Sequence, residues 1–391
     1  MNNELKKIIS RTLKSINRDG NLRQIPELDH GADLYIQIQG QNFLNLASNN
    51  YLGLSNSQEL IQASTAGAST YGASGAASRL ITGNFKTYDQ LEKLIASFKG
   101  QDRALAVGCG YTANLCILTA LANRETVIFS DRLNHASIID GAVLSRAKLI
   151  RYRHRDTDHL EWLIKKYQNQ SRKFLITDTV FSMDGDLAPL EKLVHLCHKY
   201  NILSIVDEAH ATGIFGQGRG LAHQLGLEKD IDIHMGTFSK ALGSYGGYIA
   251  SHNNVIELII NQGRAFIYST SLPPAVVSAS LASVRKVIDN PFEGARLLEM
   301  AQELKGYLTG LGFDTGSSSS QIIPLILKKS SMVMNAMHSL MKSGVYAAGI
   351  RPPTVPENTA RLRISLRADM GQDEIFLVKN AFKKLAVELG L

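Results

Sequence analysis

Cysteine is scarce in this chain, and no long apolar run interrupts it. The three cysteines, Cys109, Cys116 and Cys197, are odd in number and spaced like neither a disulfide framework nor a zinc site. They read as reduced thiols of a cytoplasmic protein. No apolar stretch approaches the roughly 20 residues that span a bilayer, so no membrane partner is expected. No internal repeat is present. No basic stretch is interleaved with aromatics, which argues against a nucleic-acid partner. The formal net charge of +7 is mild for the length and scattered, and it suits an anionic substrate or partner. Nothing points to a metal: Phe181-Ser182-Met183-Asp184-Gly185-Asp186 sets acids around a glycine, but the remaining ligand positions of a calcium loop are missing. The one low-complexity patch, Ser317 to Ser320, reads as a surface turn.

What is present is an ordinary globular composition, 44% hydrophobic and 20% charged over 391 residues, long enough for a large core and for two lobes. Leu5, Ile8, Ile9, Leu13 and Ile16 recur near helical spacing, so residues 1–22 read as a basic amphipathic helix. The segment lacks the apolar core of a secretory signal. Glu4 and Asp19, and the smooth run into the next segment, favour a docked helix over a presequence.

Between about residues 100 and 250, short apolar runs (104–107, 127–130, 148–152, 174–177, 203–206, 248–250) alternate with helical stretches (112–122, 136–144, 160–167, 190–200). That alternation predicts an α/β fold, a mostly parallel central sheet with helices on both faces. Polar residues cluster just after the strands, where ligands of open α/β sheets bind. Beyond about residue 284 the pattern changes to a helix (291–311), a strand (322–327), a helix (332–343), strands (345–350, 361–366) and a last helix (373–389). These predict a smaller α+β C-terminal domain. The expected division is an N-terminal helix and extension (1–47), a large domain (48–283) and a small one (284–391).

Lys240 lies in His-Met-Gly-Thr-Phe-Ser-Lys-Ala-Leu-Gly, residues 234–243. A lysine alone is usually a solvated surface residue. This one is ringed by small residues and hydroxyls, which leave room for a bulky group on the amine and offer phosphate donors. An amine so placed can serve as a Schiff-base nucleophile. Asp207 ends the apolar run Ser-Ile-Val-Asp, which puts a carboxylate at a strand's C-terminal end. It can hold a pyridine nitrogen protonated, or it can simply cap the next structure. His210 follows three residues later. His135 stands at the start of a helix, placed to stack on a flat ring or to cap. Gly110 and Tyr111 open a helix after a strand, a setting that binds phosphate, and Gly108 and Gly110 allow close backbone approach. Ser182 sits in a post-strand loop.

Each of these signals is weak alone; their order is not: Gly-Tyr, His, Ser, Asp-x-x-His, then Thr-x-x-Lys. With Ser48-Asn49-Asn50-Tyr51-Leu52-Gly53-Leu54, Asn134-His135-Ala136-Ser137, residues 181–190 and Ile267-Tyr268-Ser269-Thr270-Ser271-Leu272-Pro273-Pro274, the set resembles the fold-type I enzymes that use pyridoxal 5′-phosphate. More narrowly it resembles the α-oxoamine synthases, which join an amino acid to an acyl thioester with loss of CO2. The resemblance runs from Leu22 to the last helix. Ile350-Arg351-Pro352-Pro353-Thr354-Val355-Pro356, followed by Ala360-Arg361-Leu362-Arg363, is most similar to the branch that condenses L-alanine with a pimeloyl thioester in biotin biosynthesis. The thioester carrier is left open between acyl carrier protein and coenzyme A. The alternative is a glycine-using branch, the 2-amino-3-ketobutyrate ligases or 5-aminolevulinate synthases.

The resemblance implies roles residue by residue. Lys240 is the Schiff-base lysine and proton shuttle. Asp207 pairs with the pyridine nitrogen, His135 stacks on the ring, and His210 and Ser182 lie near the phenolic oxygen. Thr237 and the backbone at Gly110 and Tyr111 hold the phosphate. Ser269 and Thr270 reach the phosphate from the other subunit of a homodimer. Arg363 grips the amino-acid carboxylate with Asn49 close by, and Arg23 and Thr354 contact the acyl substrate. Arg361, Arg363 and Arg367 share alternate strand positions, so a row of solvent-facing arginines is the other reading of Arg363.

Overall fold

The computed structural model describes every residue except Asp19, Gln24 and Ala32. The chain divides into two compact units, one of residues 49–182 and 186–299, the other of residues 1–48, 183–185 and 300–391.

The larger unit is built on a seven-stranded sheet. In spatial order its strands are Arg103–Val107, Gly247–Ser251, Ile233–Thr237, Leu203–Asp207, Arg172–Asp178, Thr126–Asp131 and Lys148–Tyr152. The last five are mutually parallel, and Gly247–Ser251 runs antiparallel to both of its neighbours. Side chains alternate across a strand, and here the alternation feeds two cores. Leu105, Val107 and Ile249 join one cluster with Ile117, Ile138 and Ile256. Ala104, Ala106, Tyr248 and Ala250 join the other with Leu91, Ile95 and Val284. Helices Gly110–Leu121 and Ala136–Ser145 contribute to the first, Lys86–Lys99 and Pro274–Asp289 to the second. The mostly parallel sheet with helices on both faces is therefore as the alternating pattern predicts.

All six apolar runs are strands. A seventh, Ile233–Thr237, was not signalled by its sequence, Ile-His-Met-Gly-Thr, yet all five residues are buried. Burial on both faces removes the alternation on which such readings depend.

The smaller unit holds two three-stranded sheets. One is ordered Tyr35–Ile38, Gln41–Asn45, Val345–Tyr346; the other Ile322–Lys328, Ala360–Ser365, Ala348–Ile350. The stretch 345–350, expected as one strand, thus splits. Its first part pairs parallel with Gln41–Asn45, its second antiparallel with Ala360–Ser365. The N-terminal helix is Asn3–Arg18 and none of its residues is buried, so within this chain it is not the docked helix expected. The serine patch is also not a plain surface turn: Ser318 and Ser320 are buried, and Ser318 Oγ donates to the Ile322 carbonyl at 2.5 Å.

Candidate active site

Parallel strands deliver their C-terminal residues to one edge. Asp131, Asp178, Asp207 and Thr237 are the last residues of four such strands, and the register places Asp178 beside Asp207. At this edge a cavity of about 190 Å³ is lined by Gly110, Tyr111, His135, Ser182, Asp207, His210, Thr237 and Lys240, all expected from sequence. Cys109, Ser137, Asp178 and Ser239 line it too.

Asp207 is buried, 4% exposed. Its Oδ2 accepts from Asn114 Nδ2 at 2.8 Å and its Oδ1 from the Ala209 amide at 2.9 Å. Both donors are neutral, and among the described residues no cation lies within ion-pair distance. This is more than a strand-end cap. The carboxyl group is fixed on the protein side by these two neutral donors and lines the cavity. Asn114, one helical turn after Gly110, was missed as a site residue because the sequence does not reveal which strand end its helix faces.

Asn114 Nδ2 also donates to Ser137 Oγ at 2.9 Å, and Ser137 Oγ meets His135 Nδ1 at 2.8 Å. The Ser137 amide donates to the same Nδ1 at 3.3 Å. Ser137 accepts from Asn114, so its own proton points to His135. Nδ1 is therefore an acceptor, and the ring proton sits on Nε2. Burial lowers the His135 pKa, and nearby Asp207 opposes that shift without reversing it. His135 thus presents a neutral imidazole. It also caps its helix, so the capping and ring-stacking readings describe one residue with two functions. Its amide donates to Asp178 Oδ2 at 2.7 Å. Asp178 is pushed well above the usual carboxylate range, first by burial and then by the Asp207 charge.

His210 Nδ1 lies 2.7 Å from the Tyr51 hydroxyl, which donates to Asn49 Oδ1 at 3.0 Å. The phenol has one proton, so Nδ1 is the donor to Tyr51 and, in the neutral ring, Nε2 carries a lone pair. Asn49 is thereby tied to His210 through Tyr51, a link that sequence does not reveal.

The Gly110–Leu121 helix presents its N-terminus to the cavity, with Cys109 as cap. Thr237 Oγ1 donates to the Gly246 carbonyl at 2.7 Å and accepts from the Ser239 amide at 3.2 Å. A Cβ added to Gly108 or Gly110 would meet protein atoms no closer than 3.7 and 3.5 Å, ordinary contact. Packing inside the chain therefore does not require either glycine. Gly247 is a glycine that packing against this loop does demand: a Cβ there would sit 2.6 Å from the Cys109 backbone.

Ser269 and Thr270 do not line this cavity. They line a much smaller one with Arg79 and Tyr88, and both are exposed. In the smaller unit, Arg23 Nη2 donates to Thr354 Oγ1 at 2.9 Å, so these two expected residues are brought together. Arg363 lies on the central strand of its sheet, opposite Pro324 on one side and Ala348 on the other, and donates to Ser365 Oγ at 2.8 Å. Arg361, Arg363 and Arg367 are all buried, which disposes of the solvent-facing reading. Arg361 is paired with Asp184 and Arg367 with Asp369.

The residues of the larger unit fit pyridoxal phosphate. A buried carboxyl group held by neutral donors suits a protonated pyridine nitrogen. A helix N-terminus with two hydroxyls suits a phosphate. A neutral imidazole suits the face of a ring, and a lysine lines the same cavity.

Known proteins give the same answer. The model of the aminotransferase class I and II family matches residues 41–379. An 8-amino-7-oxononanoate synthase of Geobacter metallireducens is 47% identical over 343 residues, 86% of this chain and 87% of that protein. Its counterpart in Geobacter sulfurreducens is 42% identical over 98% of this chain and 99% of that protein. Among solved structures, a serine palmitoyltransferase of S. paucimobilis with bound PLP superposes with a TM-score of 0.92 at 29% identity, covering 98% of this chain and 97% of that one. An 8-amino-7-oxononanoate synthase of Francisella tularensis gives 0.76 at 27% identity, covering 89% and 98%.

Proposed function

The chain belongs to the aminotransferase class I and II family and, within it, to the 8-amino-7-oxononanoate synthases; on that premise we propose that it condenses L-alanine with a pimeloyl thioester. The products are 8-amino-7-oxononanoate, CO2 and a free thiol, in biotin synthesis. It is a pyridoxal-phosphate-dependent acyltransferase. The observation that carries the reading is the identity to these synthases over almost the full length of both chains.

When bound, the cofactor supplies an electron sink for the pair left on the substrate α-carbon. The rest falls to the protein. Lys240 Nζ, which lines the cavity, would hold the cofactor, and its amine would take and return the α-proton of alanine. Asp207 keeps its partner nitrogen protonated, with Asn114 and the Ala209 amide holding the carboxylate in place. The neutral His135 ring would hold the cofactor ring without adding charge. Thr237 and the amides at Gly110 and Tyr111 hold the phosphate. Ser182 and His210 would hold the phenolic oxygen. Arg363, with Asn49, would grip the alanine carboxylate, and a bidentate grip would fix the orientation of the bonds at the α-carbon. Arg23 and Thr354 contact the acyl chain. The new C–C bond forms as the thiolate leaves, and the carboxylate departs as CO2 because the new ketone accepts its electrons.

The protein works as a homodimer in the cytoplasm. Exposed Ser269 and Thr270, away from the cavity of their own chain, support a role for them in the partner's site. The absence of any helix long and apolar enough to cross a membrane among the described residues, and three free cysteines, support the location.

The second reading comes from the serine palmitoyltransferases, whose superposition is the fuller one. Purified PLP-loaded enzyme should be given alanine, serine or glycine with pimeloyl, palmitoyl, succinyl or acetyl thioesters, following thiol and CO2. Turnover with alanine and pimeloyl thioester is expected; turnover confined to serine with palmitoyl thioester, or to glycine with a short donor, would overturn the assignment.

A further inference from the structure

His154, which does not line the cavity, sits in the turn after strand Lys148–Tyr152. Both of its ring nitrogens meet buried carboxylates: Nδ1 lies 2.9 Å from Asp131 Oδ1 and Nε2 2.9 Å from Asp186 Oδ2. The two aspartates belong to different loops. Asp131 ends its strand and also accepts from the Leu133 amide at 2.8 Å, so it shapes the short connection leading to His135. Asp186 closes the turn that carries Ser182, where the Phe181 amide donates to the Asp186 carbonyl at 3.0 Å and Val180 bridges Leu187. The Phe181 ring meets the His154 ring edge-on at 4.5 Å. The neighbouring Arg155 repeats the pattern, its amide on Asp131 Oδ2 at 2.8 Å and its Nη1 on Asp186 Oδ2 at 3.0 Å.

We propose that His154, as an imidazolium, is a positioning residue that clamps the His135 loop to the Ser182 turn and so holds both against the cofactor cavity. The inference rests on the functional reading above. A ring with an acceptor on each nitrogen needs both protons, and only the cation has both. The two aspartates supply the opposing charge, and Arg155 shares them. Two further titratable groups face Asp131: Tyr152 is raised well above its ordinary value, first by burial, and stays neutral, and Asp178 is likewise raised, first by burial. Burial alone would lower His154, but the two carboxylates outweigh it and raise the group to about 9. The sign follows from linkage: a folded value above the ordinary 6.5 makes the clamp complete below about 6.5 and releases it as pH rises through about 9.

The test uses the PLP-loaded enzyme and two independent readouts. The first needs no substrate. Histidine NMR of the wild type should show His154 protonated at pH 7.5, and in His154→Gln amide exchange should quicken about tenfold in residues 131–135 and 181–186 but not in the core strands. The second is turnover of alanine with pimeloyl thioester. His154→Gln should lower kcat about tenfold, with little change in the alanine KM, and should lack a wild-type decline through pH 9 beyond that of the cofactor absorbance. Should the variant fail to fold, the wild-type titration and Asp186→Asn, which removes one of the two acceptor charges, carry the test. A His154 that is neutral at pH 7.5, or loops whose exchange matches the wild type in the variant, overturns the clamp even if the reaction is as proposed. Failure of every substrate pair with the NMR and exchange results intact overturns the reaction alone.

Discussion

Asp207 and Glu208 are consecutive in the chain, both are buried, and their charges are handled in opposite ways. Glu208 Oε2 accepts from Lys99 Nζ at 2.6 Å with His234 Nδ1 at 3.4 Å, and its Oε1 accepts from the Ala222 amide at 3.0 Å. Lys99 is completed by Thr212 Oγ1 at 3.3 Å, which in turn bonds the Tyr248 hydroxyl at 2.7 Å. Burial would raise the Glu208 carboxyl, but Lys99 and His234 hold it at about 2. Asp207, pointing the other way off the same strand end, receives only an amide side chain and a backbone N–H. An internal carboxylate with its cation built in is structural. One held by neutral donors alone at the wall of a cavity is placed to meet a cation there. This distinction, rather than burial, marks the functional acid.

The comparison can be broken by experiment. Lys240→Ala should have the largest effect, a loss of activity of about 10⁴-fold or more with no covalent-cofactor absorbance; substantial residual turnover would sink the lysine's role. Asp207→Asn should lower kcat about 10³-fold with melting temperature little changed. Glu208→Gln should do the reverse, destabilising by about 3–5 kcal/mol because Lys99 is left buried and unpaired. Equal stability losses from the two variants would erase the contrast. Arg363→Ala, read by initial rates, should raise the alanine KM about 10–100-fold while the cofactor stays bound. The Glu208 charge should also show in acid. A folded value lowered from 4.5 gives stability that is complete above about 4.5 and lost as pH falls toward about 2, measurable as falling unfolding free energy over that range and absent from Glu208→Gln. The smallest effect concerns the thiols. Burial pushes Cys116 and Cys197 up to about 12, so mild alkylation should label Cys109 alone, and more slowly with cofactor present.

The residues with chemistry of their own were legible in the sequence because strand ends and helix starts collect them. Lys240, Asp207, His135, Ser182 and Thr237 all reached one cavity on that logic. Their supports were not legible. Asn114, Tyr51, Asp178 and His154 act by facing particular partners across 23 to 159 positions of sequence, as in His154 to Asp131 and Tyr51 to His210. Neither hydrophobic period nor local motif encodes such meetings. The strand before Lys240 escaped for a related reason: enclosed on all sides, it has no polar face to set its rhythm. The N-terminal helix shows the converse, a clear amphipathic period whose apolar side finds no burial within the chain.

The antiparallel strand Gly247–Ser251 has a consequence for how the chain is made. Among the described residues it is the sole link between the edge strand Arg103–Val107 and the rest of the sheet, with Arg103 opposite Ser251. The two partners are 251 − 103 = 148 positions apart, so at roughly 5–20 residues per second on the ribosome the edge strand waits on the order of 7–30 seconds for its mate. Throughout that interval Ala-Leu-Ala-Val is an unpaired apolar ribbon on a nascent chain. Chaperone demand during synthesis should therefore peak before residue 251 emerges and fall sharply after it.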